Sequence, residues 1–194
     1  LSEENNISDA FERISIKLGD DYWIWFDGYA GINFKEYSRE IRIYLYPSCR
    51  EETILHQLLN HWLPYIYQVW GMQVLHGSST YNKLDGRICT FVGPTGAGKS
   101  TTAYALGQKN RWAELVDDST AFSVHDGNIT VEEIPSIIRL RPKSAEYFQE
   151  KPYSNEPITW PDRSLTLGKI YFLEPADNIT QPKILKLRKS LAYR

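Results

Sequence analysis

The sequence predicts an α/β protein: a mixed sheet built around a glycine-rich turn, preceded by a small N-terminal antiparallel β lobe and one long helix. Three observations predict it. Gly93-Pro94-Thr95-Gly96-Ala97-Gly98-Lys99-Ser100 fits the pattern G-x-x-x-x-G-K-[S/T], with an apolar, β-favouring run (Arg87 to Val92) before it and a helix-compatible run (Ser100 to Gln108) after it. Between Phe11 and Pro47, short stretches of alternating apolar and polar residues are separated by turn residues. Between Arg50 and Gly71, apolar residues recur at three- and four-residue spacing.

Taken in order, residues 1–9 are polar. Phe11 to Leu18 alternates, Gly19-Asp20-Asp21 turns, Tyr22 to Phe26 is a second run, Asp27-Gly28 turns again, and Ile41 to Tyr46 alternates once more. This is a sheet of three or four strands; the aromatic pair Trp23 and Trp25 could form an exposed peptide-binding face, but is expected in its core. In the helical stretch, Ile54, Leu55, Leu58, Leu59, Trp62, Leu63, Ile66 and Val69 recur at three- and four-residue spacing, Gly71 is the stop, and Pro64 demands a kink or a break. His56 and His61 are five apart, on different faces, and make no metal pair. The chain thus divides into an N-terminal lobe with its helix, 1–71, and a core, 72–194.

In the core, Met72 to Leu75 reads as a short strand delivering His76-Gly77-Ser78-Ser79, and Tyr81 to Gly86 as a polar turn. Trp112 to Val116 is a strand ending at Asp117-Asp118. Asp126-Gly127-Asn128, flanked by β-branched runs, is a hairpin signal. Ile134 to Leu140 is a strand broken by Pro135, and Pro142 to Gln149 a helix with Pro early. Glu150 to Arg163 reads as a long loop. Leu165 to Leu173 returns to strand character, and Ile184 to Leu187 is a last alternating piece.

The motif carries its own chemistry. Its glycines let the backbone curl until several N–H groups face one anion, and the following helix adds its N-terminal N–H groups and the positive end of its dipole. Lys99 would reach the β- and γ-phosphates and the Ser100 hydroxyl would sit on Mg²⁺. A chance match in a chain this long has odds of roughly one in a hundred, lower once the flanking strand and helix are required. The expectation is a phosphate-loop-containing fold that binds a nucleoside triphosphate with Mg²⁺ through Gly93, Pro94, Thr95, Gly96, Ala97, Gly98, Lys99, Ser100 and Thr101.

Asp117-Asp118 closes a strand expected to lie beside the strand that enters the turn. One carboxylate can then hold Mg²⁺ and the other accept the proton of an attacking hydroxyl, because phosphoryl transfer needs a positioned nucleophile more than a strong base. The alternative is a plain acidic turn. His76 ends a neighbouring strand and could orient a carboxylate or a phosphate. Arg139 and Arg141 could clamp transferred phosphate, or form a solvated edge.

Composition excludes other classes. The net charge of −2, from 22 basic and 24 acidic residues, argues against a nucleic-acid or membrane-surface binder. No apolar run approaches a membrane span and nothing at the start resembles a signal peptide. Cys49 and Cys89 have no metal-type spacing. Cys89 reads as a buried free thiol, and that usage fits a reducing cytoplasm. The chain begins at Leu1 and stops at Arg194 inside a Lys/Leu-rich segment, which leaves open that it is a fragment.

Leu75-His76-Gly77-Ser78, Phe91 to Thr101, Leu115 to Asp118 and Ile134 to Leu140 together resemble, in order and spacing, the catalytic domain of HPr kinase/phosphorylase-like proteins. The resemblance covers roughly residues 72–175. It implies a phosphoenolpyruvate-carboxykinase-like core that transfers the γ-phosphate of ATP to a serine hydroxyl. It implies Asp117 as general base, Asp118 as its partner at Mg²⁺ together with Ser100, His76 beside them, and Lys99 on the phosphates. The family's Glu-Ile-Arg-Gly segment is absent; Arg141-Pro142-Lys143-Ser144-Ala145 stands in its place. The N-terminal β lobe followed by a helix is similar in layout to the stand-alone kinases of lasso-peptide precursors. A serine-containing peptide or protein is therefore expected ahead of HPr itself, with homo-oligomerisation open.

Two other classes compete: a non-catalytic ATP-binding regulator, and a small-molecule kinase. A transporter- or motor-type ATPase is disfavoured, since no Leu-Ser-Gly-Gly-Gln segment is present.

Overall fold

The computed structural model describes residues 13–26, 29–36, 38–47, 49, 54, 57–150, 153–176, 181 and 183–187; for 13, 14, 60, 138, 139 and 153–157 it describes the backbone alone. The Asp27-Gly28 turn and the two ends of the chain lie outside the described residues.

The fold is mixed α/β. Strands β1 (Arg13–Leu18), β2 (Asp21–Phe26), β3 (Ala30–Lys35) and β4 (Ile41–Leu45) form an antiparallel sheet in that order. One face, with Ile24, Ile32 and Phe34, packs against Ile54, Trp62 and Ile66 of the following helical segment. Phe26 and Trp62 stack with ring centres 4.3 Å apart.

The structure moves Trp23 and Trp25 out of the core. They lie on the opposite face, stacked 5.5 Å apart, with Tyr44 stacked 5.6 Å from Trp23. Trp25 is 38% exposed and Tyr44 47%. Strand alternation separates 22, 24 and 26 from 23 and 25, and only one of those sets can face the helix. Trp25 lies flat over Gly31, where an added Cβ would come within 2.4 Å of its ring.

The predicted long helix is not uniform. Leu58–Trp62 is π-helical and passes into an α-helix, α1 (Leu63–Val69). Leu63 N–H reaches back five residues to the Leu58 carbonyl, and Pro64 then falls in the first turn of α1. The change from π to α register falls just ahead of the proline, whose missing N–H leaves the bonding pattern of the preceding turn to shift, and the helix continues through it.

The second sheet has six strands in the order β6-β12-β9-β8-β5-β7, and β6 also pairs with β5, so the ladder closes on itself. Its strands are β5 (Gln73–Asn82), β6 (Arg87–Val92), β7 (Trp112–Val116), β8 (Ser119–His125), β9 (Asn128–Val131) and β12 (Leu165–Phe172). β12 runs parallel to β6 and antiparallel to β9. Helix α2 (Lys99–Gly107) packs across β5, β6 and β7. Ile88, Leu115, Ala121, Val131 and Leu165 fill the interior. Cys89 is buried and Cys49 half-buried, both free thiols.

Four expectations change. The short strand before His76 is the start of a ten-residue strand through Gly77-Ser78-Ser79, which is paired on both edges. Part of the expected Glu150–Arg163 loop is a strand, β11 (Tyr153–Pro157), paired with β10 (Ile137–Arg139). The Ile134 to Leu140 strand shrinks to β10, beyond Pro135. Residues 183–187 form no strand, with Ile184 and Leu185 about four-fifths exposed. By contrast the Asp126-Gly127 hairpin joins β8 to β9 as read, both turn residues having positive φ (51° and 77°). Helix α3 (Pro142–Phe148) begins at its proline.

The N-terminal sheet and its helix meet the second sheet through Tyr67, whose hydroxyl donates to the Glu133 carbonyl at 2.6 Å. Exposed Arg39 and half-buried Glu132 add an ion pair at 3.6 Å. Among the described residues no helix is long and apolar enough to cross a membrane.

Candidate functional site: a glycine-rich turn facing Asp117

β6 ends at Val92 and α2 begins at Lys99; the six residues between them form the turn. Gly93, Gly96 and Gly98 have φ of 148°, 86° and 92°, a region that side chains with a Cβ avoid. At Gly93 a Cβ would also lie 2.5 Å from the Leu173 carbonyl oxygen, on the segment that leaves β12. Gly98 caps α2 without a side-chain acceptor, so no capping side chain occupies the helix's first N–H groups.

Lys99 is 8% exposed and turned back into the turn. Its ammonium donates to the carbonyl oxygens of Gly93 at 3.0 Å and Pro94 at 3.3 Å. Neutral carbonyls compensate a buried ammonium only in part, so an anion entering the turn would find a charge already desolvated to meet it.

Asp117 reaches this turn from another strand. β7 and β8 run along one edge of β5 in nearly continuous register, Ser79 opposite Val116 and His76 opposite Ser119. Asp117-Asp118 interrupts that run. Asp118 has a φ of 68°, its carbonyl accepts from Gly77 N–H at 3.0 Å, and its own N–H donates to Asp117 Oδ1 at 3.1 Å. Asp117 N–H donates to the Ser136 hydroxyl at 2.8 Å, which fixes the backbone from a second side.

The carboxylate then meets the turn through one side chain. Ser78 Oγ lies 2.6 Å from Asp117 Oδ1 and 3.3 Å from Ser100 Oγ, so Asp117 and Ser100 are within about 6 Å of each other. A hydroxyl has one proton to give. The shorter contact, to the carboxylate, takes it, and Ser100 can donate in turn to Ser78. Next to Ser78 along the strand, the buried Ser79 hydroxyl bonds to those of Thr90 at 2.8 Å and Thr120 at 2.7 Å, while Thr80 Oγ1 is buried with no partner among the described residues.

The expected adjacency of the Trp112–Val116 strand and the turn-entering strand is corrected: β5 lies between them. That intervening strand is why Ser78, which sequence reasoning missed, links the two. A small, shallow cleft here is lined by Ser78, Ser100, Tyr104, Glu114 and Asp117. Burial raises the Glu114 carboxyl above its usual range, the Gln108 amide at 2.9 Å opposes that, and Glu150 and Asp117 reinforce it. Burial also pushes the Tyr104 hydroxyl up to about 12, with a hydrogen bond to Glu150 adding to the rise. The only signal for these residues was their place on strands and a helix flanking the motif.

The other expected residues are placed as follows. His76 is exposed, two residues before Ser78 and so on the same face of β5. Asp118 and His76 do not line the cleft. Thr101 Oγ1 bonds Ser144 Oγ of α3 at 2.9 Å. Arg141 lies at the start of α3, while Arg139 is described by its backbone, on β10. Among the described residues no three His, Cys, Asp or Glu side chains converge as a dedicated metal cage.

Fold and site together define a mixed α/β protein in which a left-handed glycine turn, a buried lysine and a strand-end carboxylate come together. No protein-family profile matches the chain, and no curated protein matches it.

Ser78→Ala tests the link directly. It should leave the fold intact, since it removes one hydroxyl from a hydrogen-bonded strand, but cost about 1–3 kcal/mol of stability because Asp117 loses a charge-assisted bond. Urea denaturation checks it; a cost below about 0.5 kcal/mol would mean that the bond contributes nothing net.

Proposed function

We propose that this chain is an ATP-dependent serine kinase acting on a peptide or protein. The turn would wrap the phosphates with its backbone N–H groups, and Lys99 would swing from the Gly93 and Pro94 carbonyls onto the β- and γ-phosphates. The residues fit Mg²⁺. The Ser100 hydroxyl is a hard oxygen donor, the carboxylate one hydroxyl away from it is that of Asp117, and Asp118, the metal partner implied by the resemblance, would have to turn toward the cleft it does not line; a magnesium ion held with substrate phosphates needs one or two carboxylates, not a cage. When bound, the ion would supply charge neutralisation on the phosphate oxygens.

The observation that carries the reading is the Asp117–Ser78–Ser100 chain, which sets a carboxylate beside the motif residue at the phosphate end of α2. In the transfer, the serine oxygen bonds to the γ-phosphorus, the bond from that phosphorus to the oxygen bridging to ADP breaks, and the serine proton passes to Asp117. ADP carries away the bridging oxygen. His76 stands on the same strand face and would orient the acceptor. The serine-ended peptide precursors implied by the resemblance are the preferred substrate class, ahead of an HPr-type protein.

Incubation with γ-labelled ATP, Mg²⁺ and serine-containing peptides tests this. The expected product is phosphoserine. ATP bound without transfer to any peptide would favour the non-catalytic, ATP-binding regulatory reading instead.

A further inference from the structure

We infer that Arg141, outside the glycine-rich motif, is a second phosphate ligand that contacts the terminal phosphate of a bound nucleoside triphosphate. The inference rests on the nucleotide reading above and adds a residue to it. Arg141 Nη1 lies 4.0 Å from where a Cβ on Gly96 would stand, so the guanidinium overhangs the exposed rim of the turn. Arg141 has extended backbone (φ −63°, ψ 152°) immediately before Pro142 starts α3, so it stands outside the helix at its start. The Thr101–Ser144 hydrogen bond at 2.9 Å fastens α3 to α2, so the two helix starts that flank Arg141 and the turn are held together.

Among the described residues Arg141 makes no ion pair or side-chain hydrogen bond. Lys99 approaches the same turn from its buried floor, and Arg141 from its rim, so an anionic chain threaded through the turn would meet a cation at each end. Inner phosphates belong to the backbone N–H groups and the start of α2; the outer end emerges at the rim. A planar fork of N–H donors suits a phosphate's oxygens better than a point charge does.

Equilibrium binding of ATP and ADP, each with Mg²⁺, to the whole chain and to Arg141→Ala, Arg141→Lys and Lys99→Ala tests it. Arg141→Ala should weaken ATP about tenfold and ADP by less than about twofold, and Arg141→Lys should recover part of the ATP loss. Lys99→Ala should weaken both nucleotides. Unchanged ATP affinity in Arg141→Ala, or equal loss for ATP and ADP, overturns the inference while leaving the nucleotide reading standing. A wild-type chain that binds neither nucleotide overturns both. Thermal melts of each variant separate lost binding from lost folding: a variant that melts below the assay temperature is replaced by Arg141→Gln, which keeps the stem and is held to the same outcomes.

Discussion

Asp117→Asn is expected to cut transfer of phosphate from ATP to serine about a thousandfold, while ATP affinity in Mg²⁺ stays within about twofold of the wild type. The substitution keeps the shape of the side chain and its capacity to accept from Ser78 and the Asp118 N–H, both of which bond Oδ1. It removes the basic oxygen pair that would take the serine proton. Transfer rate and nucleotide affinity must both be measured. Asp117 lies one hydroxyl away from Ser100, so a direct metal role is the competing account. A large loss of affinity that appears only with Mg²⁺ would assign Asp117 to the ion and shift the base elsewhere. Undiminished transfer would remove it from the chemistry altogether.

The second large effect is structural. Trp62→Ala should destabilise the N-terminal lobe by about 3–5 kcal/mol, read as a shift of the urea midpoint. Trp62 is 3% exposed, stacks on Phe26 and closes the π-helical turn just ahead of Pro64. Its removal leaves a ring-sized hole between the helix and the buried face of β2, and a sheet backed by one helix has few groups that can collapse into it. Nucleotide binding should survive in whatever fraction remains folded, because Trp62 belongs to the cluster under the first sheet and not to the residues around the turn. A cost under about 1 kcal/mol would show that the helix does not depend on this contact.

What the sequence revealed, and what it hid, follows from where each signal is stored. Asp126-Gly127 announced its hairpin because a two-residue turn with positive φ at both positions needs those residue types locally. Pro142 announced a helix start for a similar reason. Gly77-Ser78-Ser79 fell beyond the short strand read at Met72 to Leu75, because its strand character comes from partners on both edges and from hydroxyls answered by Asp117, Thr90 and Thr120. No local propensity records such partners. Trp23 and Trp25 showed the alternation but not which side faced the helix, and the general preference of tryptophan for burial chose wrongly. The Ala30–Lys35 strand was missed because Ala-Gly at its start resembles a turn, although Gly31 is required there beneath Trp25.

The candidate site divides in the same way. The glycine turn, Lys99, Ser100 and Asp117 were legible because they form contiguous motifs with recognisable chemistry. Ser78, Ser136, Glu114 and the placement of Arg141 were not, because their contributions depend on β5 being inserted between β6 and β7 and on α3 being tied to α2.

The most direct check of the shared pocket is the position of a metal. In crystals grown with Mn²⁺ and a non-hydrolysable ATP analogue, the anomalous signal of the ion should lie roughly 2.0–2.2 Å from Ser100 Oγ, with the outermost phosphate between it and the Asp117 carboxylate. An ion and nucleotide bound away from the 93–100 turn, or bound there with Asp117 turned out of reach of the phosphates, would contradict the account.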